Sequence, residues 1–204
     1  MRRVHDLRDH YRRTLATAAA LVALAGSACG SPVADTSGPT PSPITAATVR
    51  AAFEHSTMKS AHFRFSGTLI KKPGYYPVTG DGILQLVPRD ALKMNFRVQT
   101  YTSAGVIKIQ EVAIGGRLYI RTGSGGWSSK ASSGSVTSLT SYVGEETLAG
   151  ASVWHAQTAS KGNIYDLWVR ESDGYIVQLT YTSASGNLTM TFDSYNKSPV
   201  VAVP

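Results

Sequence analysis

The sequence predicts an α+β domain built on an antiparallel meander of about nine strands that curls with its own twist. Three observations carry this. Apolar and polar residues alternate through most of the chain from His62 to Phe192, the pattern of half-buried strands. Short turn sequences such as Gly115-Gly116, Asp173-Gly174 and Ser185-Gly186 separate these runs, and such turns join antiparallel neighbours. Helical spacing occurs only near Ile44–Met58 and, more weakly, at Val136–Val143.

The first 28 residues have the three parts of an export signal. Arg2, Arg3, Arg8, Arg12 and Arg13 precede an apolar run from about Leu15 to Ala25, and Gly26, Ser27 and Ala28 lead to Cys29. A run of roughly 14 residues reaches about 21 Å, short of a ~30 Å hydrocarbon core. The pattern is that of a bacterial lipobox. Cys29 would receive a thioether-linked diacylglycerol and become the new N-terminus. Gly26 stands where a bulky aliphatic is more usual, and Arg12-Arg13-Thr14-Leu15 is a partial twin-arginine motif. Cys29 is the single cysteine. It has no partner for an intramolecular disulfide, and beside an export signal it reads as a lipid attachment site.

Five arginines and two aspartates leave with the signal, lowering the formal charge from +7 to +4. The remaining cations are spread along the chain, so no basic stripe suggests nucleic acid. Residues 1–28 are thus assigned as signal peptide, 29–44 as a flexible tether and 45–204 as the folded domain. Gly30 to Pro43 is mostly Gly, Ser, Thr and Pro, too poor in large apolar groups to offset the entropy of ordering.

Ile44–Met58 reads as a helix, with Thr45 or Thr48 as its cap and Val49 and Phe53 on one apolar face. The period then changes to two. Phe63, Phe65 and Leu69 share a face of the first strand. Tyr75 to Val87 forms a second, in which Gly80-Asp81-Gly82 suggests a bulge or bend. Leu92, Met94, Phe96 and Val98 alternate with Lys93, Asn95, Arg97 and Gln99. Val106–Ile114 and Arg117–Thr122 flank the Gly115-Gly116 hairpin. Gly123–Gly126 is a loop, and Val136–Val143 a short second helix. Ala151–Ala159 and Ile164–Arg170 follow. Tyr175, Val177, Leu179 and Tyr181 then alternate, and after Ser185-Gly186 so do Leu188, Met190 and Phe192. Pro199–Pro204 is expected to lie extended on a sheet edge.

The chemistry of catalysis is missing from the pattern. No Gly-x-Ser-x-Gly occurs, and His55, His62 and His155 have no suggestive neighbours. Glu145, Glu146 and Asp166 read as isolated, solvated charges, so no metal ligand set or cofactor is implied. Gly123–Gly126 lacks the Lys-Ser/Thr of a phosphate loop. The sequon at Asn187 reads as a turn.

Several strings occur in an order that resembles one family. They include Ser60-Ala61-His62-Phe63, Gly80-Asp81-Gly82, Gly115-Gly116-Arg117-Leu118-Tyr119, Gly144-Glu145-Glu146-Thr147-Leu148-Ala149-Gly150, Trp154-His155, Asp166-Leu167-Trp168 and Phe192-Asp193-Ser194-Tyr195. Behind a lipobox and a tether, they look like the actinobacterial LppX/LprG-type lipoproteins, similar in fold to the carrier LolA. The resemblance implies a strongly curved, unclosed half-barrel sheet with one or two helices on its concave side. It also implies a non-enzymatic protein, lipid-anchored on the extracytoplasmic face of the cell membrane, with a lipid or lipoglycan ligand in the hollow. Alternation puts Phe63, Phe65, Met94, Phe96 and Leu179 there as ligand-binding residues. The region between Trp127 and Glu145 is short and polar here. The alternative is an envelope sensor or protein-interaction module with a filled core.

Overall fold

The computed structural model describes residues 43–71, 74–100, 105–132, 139–160 and 162–204. The signal segment, Cys29 and the tether as far as residue 42 lie outside them. One helix is present among the described residues, α1 at Ala46–Glu54. Thr45 caps it. Its hydroxyl accepts the Thr48 N–H at 3.2 Å, while the Thr48 hydroxyl accepts the Thr45 N–H at 3.3 Å. This reciprocal pair satisfies two donors the helix start leaves open. The helix is shorter than the spacing predicts. It closes at His55, whose N–H donates to Ala51, and the chain enters a strand at Ser60.

Eleven strands follow: β1 (Ser60–Lys71), β2 (Gly74–Gln85), β3 (Ala91–Gln99), β4 (Val106–Ile114), β5 (Arg117–Thr122), β6 (Ser128–Ala131), β7 (Ser141–Leu148), β8 (Ala151–Ser160), β9 (Asn163–Arg170), β10 (Ile176–Ser183) and β11 (Gly186–Asp193). They form one open sheet in the order β6-β5-β4-β3-β2-β1-β11-β10-β9-β8-β7. Two meanders, β1–β6 and β7–β11, are thus joined where β1 pairs antiparallel with β11. The α+β half-barrel class predicted from the sequence is the one observed, with two strands more than expected.

Both extra strands are edges. β6 is exposed throughout, and β7 has no fully buried residue, so neither carries the apolar alternation that marks a strand in sequence. β7 also replaces part of the expected second helix. Ser141–Val143 is strand, with Ser141 and Tyr142 paired to β8, and 136–138 lies outside the described residues. The helical spacing of Leu139, Tyr142 and Val143 was met instead by a register shift between Tyr142 and Gly144. A second shift between Ile176 and Gln178 puts Ile176, not Tyr175 and Val177, on the buried face. The sequon at Asn187 lies within β11, not in a turn. Gly115 and Gly116 both have positive φ, as the two-residue hairpin requires.

The C-terminal residues do not pair with an edge. Val201 packs against Ala91, Val112 and Ile114 near one end of β3 and β4, and its N–H donates to the buried Gln85 at 2.8 Å.

Eleven strands span about 48 Å, whereas nine helical residues span about 14 Å. The helix packs chiefly on β7, β8 and β9. Yet one face is buried from β5 across the sheet to β8, from Leu118 and Ile120 through Phe96, Phe63 and Phe192 to Leu167 and Ala156. Such a face is covered only if the sheet curls and its halves cover each other.

Glycines on the inner face permit the curl. Gly82 lies opposite Phe63 and Gly80 opposite Phe65. A Cβ at either would collide with the Phe ring above it and with a carbonyl oxygen of β3. The expected bulge is absent, since β2 pairs in unbroken register with β1 and β3 through this stretch. The glycines serve as floor for two aromatic rings. At the other end, Gly174 (φ +71) admits the Ala52 carbonyl of α1 against the β9–β10 turn.

Glycine to alanine in a strand ordinarily stabilises, because glycine loses more entropy on folding. Gly80→Ala and Gly82→Ala are instead expected to cost about 1–3 kcal/mol through overpacking. Gly144→Ala, with open space around it, should be neutral or stabilising. Denaturant midpoints of the three variants check this, and equal effects at all three would refute the packing role.

Candidate functional site

The register brings the five predicted ligand residues together. Met94 and Phe96 of β3 lie opposite Gly82 and Gly80. These glycines face Phe63 and Phe65, which in turn face Phe192 and Met190 of β11. Leu179 of β10 completes the row opposite Met190. The ring centroids of Phe63 and Phe192 are 5.4 Å apart, and Phe65 lies 6.1 Å from both Phe63 and Phe96. None of the five is more than 4% exposed. They form one apolar patch across β3, β2, β1, β11 and β10 and are packed against protein.

Polar groups interrupt this face. Glu111 of β4 stands between Met94 and Ile120. It is 2% exposed, and its Oε2 has no protein partner. Burial pushes its carboxyl up to about 7, with the charge of Lys130 pulling the other way. On the far half of the sheet, Thr158 Oγ1 and Trp154 Nε1 of β8 are also buried without a protein partner, as is Ser56 Oγ beyond α1. Buried polar atoms of this kind are few in native proteins and call for a reason. Sequence reasoning missed Glu111, although the signal was there: it is in phase with Ile107 and Ile109, not with Lys108 and Gln110.

The opposite face holds a second polar cluster, where the reading of isolated acids is corrected. His155 Nδ1 is 2.7 Å from Glu146 Oε1, and its Nε2 is 2.9 Å from Asp166 Oδ1. Trp168 donates Nε1–H to Glu146 at 2.9 Å and stacks on the imidazole at 4.3 Å. Gln157 and Thr180 donate to Asp166 at 2.7 and 3.1 Å. Each ring nitrogen of His155 thus faces a carboxylate oxygen. Burial alone would push the Asp166 carboxyl up. The bonds from Gln157, His155 and Thr180, with the His155 charge, outweigh that and hold it below the usual range. The residues are spread over β7, β8, β9 and β10, so the network latches the edge hairpin to the sheet. The acids were read as isolated because their neighbours are remote in sequence. No group of three His, Cys, Asp or Glu that could hold a metal ion occurs among the described residues.

No protein-family model matches the sequence, and no curated protein matches it. Among solved structures, the chain is similar to the lipoprotein LppX of Mycobacterium tuberculosis, with 15% identity, a TM-score of 0.46, and coverage of 76% of this chain and 99% of that one. It is also similar to LprF of Mycobacterium bovis, at 10% identity and a TM-score of 0.44, covering 76% and 92%. A putative outer membrane lipoprotein-sorting protein domain of Vibrio parahaemolyticus gives 10% identity and a TM-score of 0.34, again covering 76% and 92%. These are proteins of the kind that the sequence strings resemble. At such identities the likeness concerns the fold.

Glu111 holds its proton more tightly folded than unfolded. Its contribution to stability is complete below its ordinary value of 4.5 and is lost as pH rises through about 7. From about pH 5 to about pH 8 this group should remove up to about 3 kcal/mol of stability. Glu111→Gln should abolish that part of the pH dependence. Denaturant unfolding across this range checks it, and identical pH profiles for the two proteins would contradict it.

Proposed function

We propose that this chain is a membrane-anchored, non-enzymatic lipoprotein of the cell envelope whose inner sheet face binds the acyl chains of a lipid. Cys29 carries the covalent anchor on the extracytoplasmic side, and the tether holds the domain off the bilayer. No helix among the described residues is long and apolar enough to cross a membrane, which suits a lipid anchor.

The observation that carries the reading is the composition of the inner face. A continuous apolar patch around Phe63, Phe65, Met94, Phe96 and Leu179 is bordered by Glu111, Trp154 and Thr158, each with a buried polar atom that no protein group satisfies. Apolar walls with a few convergent polar atoms are what a lipid site requires. Acyl chains would lie on the patch, and an ester or hydroxyl near its border would meet the polar atoms. A protonated Glu111 can donate to an ester carbonyl. Because the patch is packed, chains enter by parting the two halves of the sheet. An open sheet with free edges permits this more readily than a closed barrel.

A second reading, a sensor or protein-interaction module with a filled core, is favoured by the near-complete burial of those same five side chains. It leaves the three unpartnered atoms without a role.

Uptake of a fluorescent fatty-acid probe by the Cys29→Ser chain, which lacks competing covalent acyl groups, separates the two. The carrier reading expects saturable uptake, energy transfer to the probe from Trp154, and loss of uptake in Phe96→Trp. That variant should stay folded at a cost of about 1–3 kcal/mol. Absence of uptake by the folded Cys29→Ser chain would favour the filled module.

A further inference from the structure

The outer face carries a trough that the acyl site does not use. It has a volume of about 760 Å³, within the roughly 300–1,000 Å³ of ligand sites. Its construction follows from the register. Gly80, Phe96 and Ile109 are opposite one another across β2, β3 and β4. Phe96 and Ile109 point inward and Gly80 has no side chain, so their backbone makes the floor. The flanking residues point outward and make the walls. One wall is Arg64, Asp81, Asn95 and Gln110; the other is Thr79, Arg97 and Lys108. The walls are two residues apart along each strand, about 7 Å.

In the first wall Asp81, Asn95 and Gln110 are satisfied among themselves and by Arg121, while Arg64 feels the charge of Asp193. Arg121 donates Nε–H to Gln110 Oε1 at 2.8 Å, Gln110 donates to Asn95 at 2.9 Å, and Asn95 faces Asp81 at 3.5 Å. His62, beyond Arg64, is taken by Asp193 at 2.8 Å. The second wall is not satisfied. Arg97 and Lys108 are directly opposite partners, and neither side chain has a hydrogen bond or ion pair with any described residue. Like charges directly opposite on adjacent strands destabilise a sheet. Against Arg64, Arg97 and Lys108, the trough lining holds one acid, Asp81, which faces the amide of Asn95.

We propose that this trough binds the phosphate of a small polyol phosphate ester. The phosphate sits between Arg97 and Lys108 and reaches Arg64 across the floor. The Arg97 fork and the Lys108 ammonium share the free oxygens of the phosphate. The anion removes the repulsion that the strand register builds in. The trough is larger than a bare phosphate needs, and the Thr79 hydroxyl and the amides of the opposite wall suit a hydroxylated substituent. The site is independent of what the inner face holds. Its ligand is either a free polyol phosphate or the same group as a lipid headgroup.

Residue-resolved labelling tests it. The full chain is reconstituted in phosphatidylcholine vesicles in phosphate-free buffer, and acylation of lysines by an amine-reactive ester is followed by peptide mass spectrometry. Glycerol 3-phosphate is titrated at constant ionic strength. Lys93 is also exposed on this face but does not line the trough, and serves as internal control. A second arm replaces the vesicles by an equimolar mixture of phosphatidylcholine and phosphatidylglycerol.

Saturable, several-fold protection of Lys108 over Lys93 by glycerol 3-phosphate assigns a free ester. Such protection only in the second arm assigns a headgroup. Protection of both lysines alike, or of neither, in both arms overturns the proposal. Arg97→Gln should weaken the protecting ligand about tenfold and raise the thermal midpoint in phosphate-free buffer. Undiminished protection in that folded variant would also overturn it.

Discussion

Two phenylalanine rings lying over two glycines set the geometry on which the rest of the molecule depends. Phe63 and Phe65 project from β1 across β2, where Gly82 and Gly80 leave them room. A Cβ at either position would press on the ring above it and on the β3 backbone, so the rings or the strand would have to shift. The seam sits beside the β1–β11 pairing, the one non-sequential contact in the sheet. The stretch that determines curvature is thus the stretch that joins the halves. Aromatic burial there is worth several kcal/mol, since truncating a buried Phe to Ala typically costs about 3–5 kcal/mol.

Curling sorts the side chains into two environments with different chemistry. The inner face becomes apolar and nearly dry, which is why a carboxyl placed there, Glu111, is pushed up to about 7 and held largely neutral below that. Apart from the apolar cluster around Val201, the outer face is polar and organises its charges by cross-strand register. At one end the register is complementary: His155 bridges Glu146 and Asp166 and latches the edge hairpin. Over β3 and β4 it is not, and Arg97 and Lys108 face each other. The anionic ligand proposed for the trough would relieve that repulsion.

The strands whose one face is buried were legible in the sequence, because burial imposes the alternation of Leu92, Met94, Phe96 and Val98. Gly115-Gly116 was legible because its turn demands positive φ. The edges β6 and β7 were not, because exposed strands need no apolar pattern. Gly80 and Gly82 were visible but misread. A glycine that bends the chain and one that makes room for a neighbour's ring look alike until the register is known. The five residues of the apolar patch could be grouped from alternation, whereas Glu111, the His155 cluster and the trough depend on which residues lie opposite, which sequence spacing does not encode.

The central claim is that the curled inner face holds lipid while Cys29 holds the membrane. Native mass spectrometry of the full chain, released from its own membranes in mild detergent, tests both parts at once. The account predicts a mature protein beginning at an acylated Cys29 and, on gentle activation, the loss of a further non-covalent lipid. A chain that carries the covalent acyl groups but no additional lipid would contradict the carrier role. A chain without acylation at Cys29 would contradict the anchor.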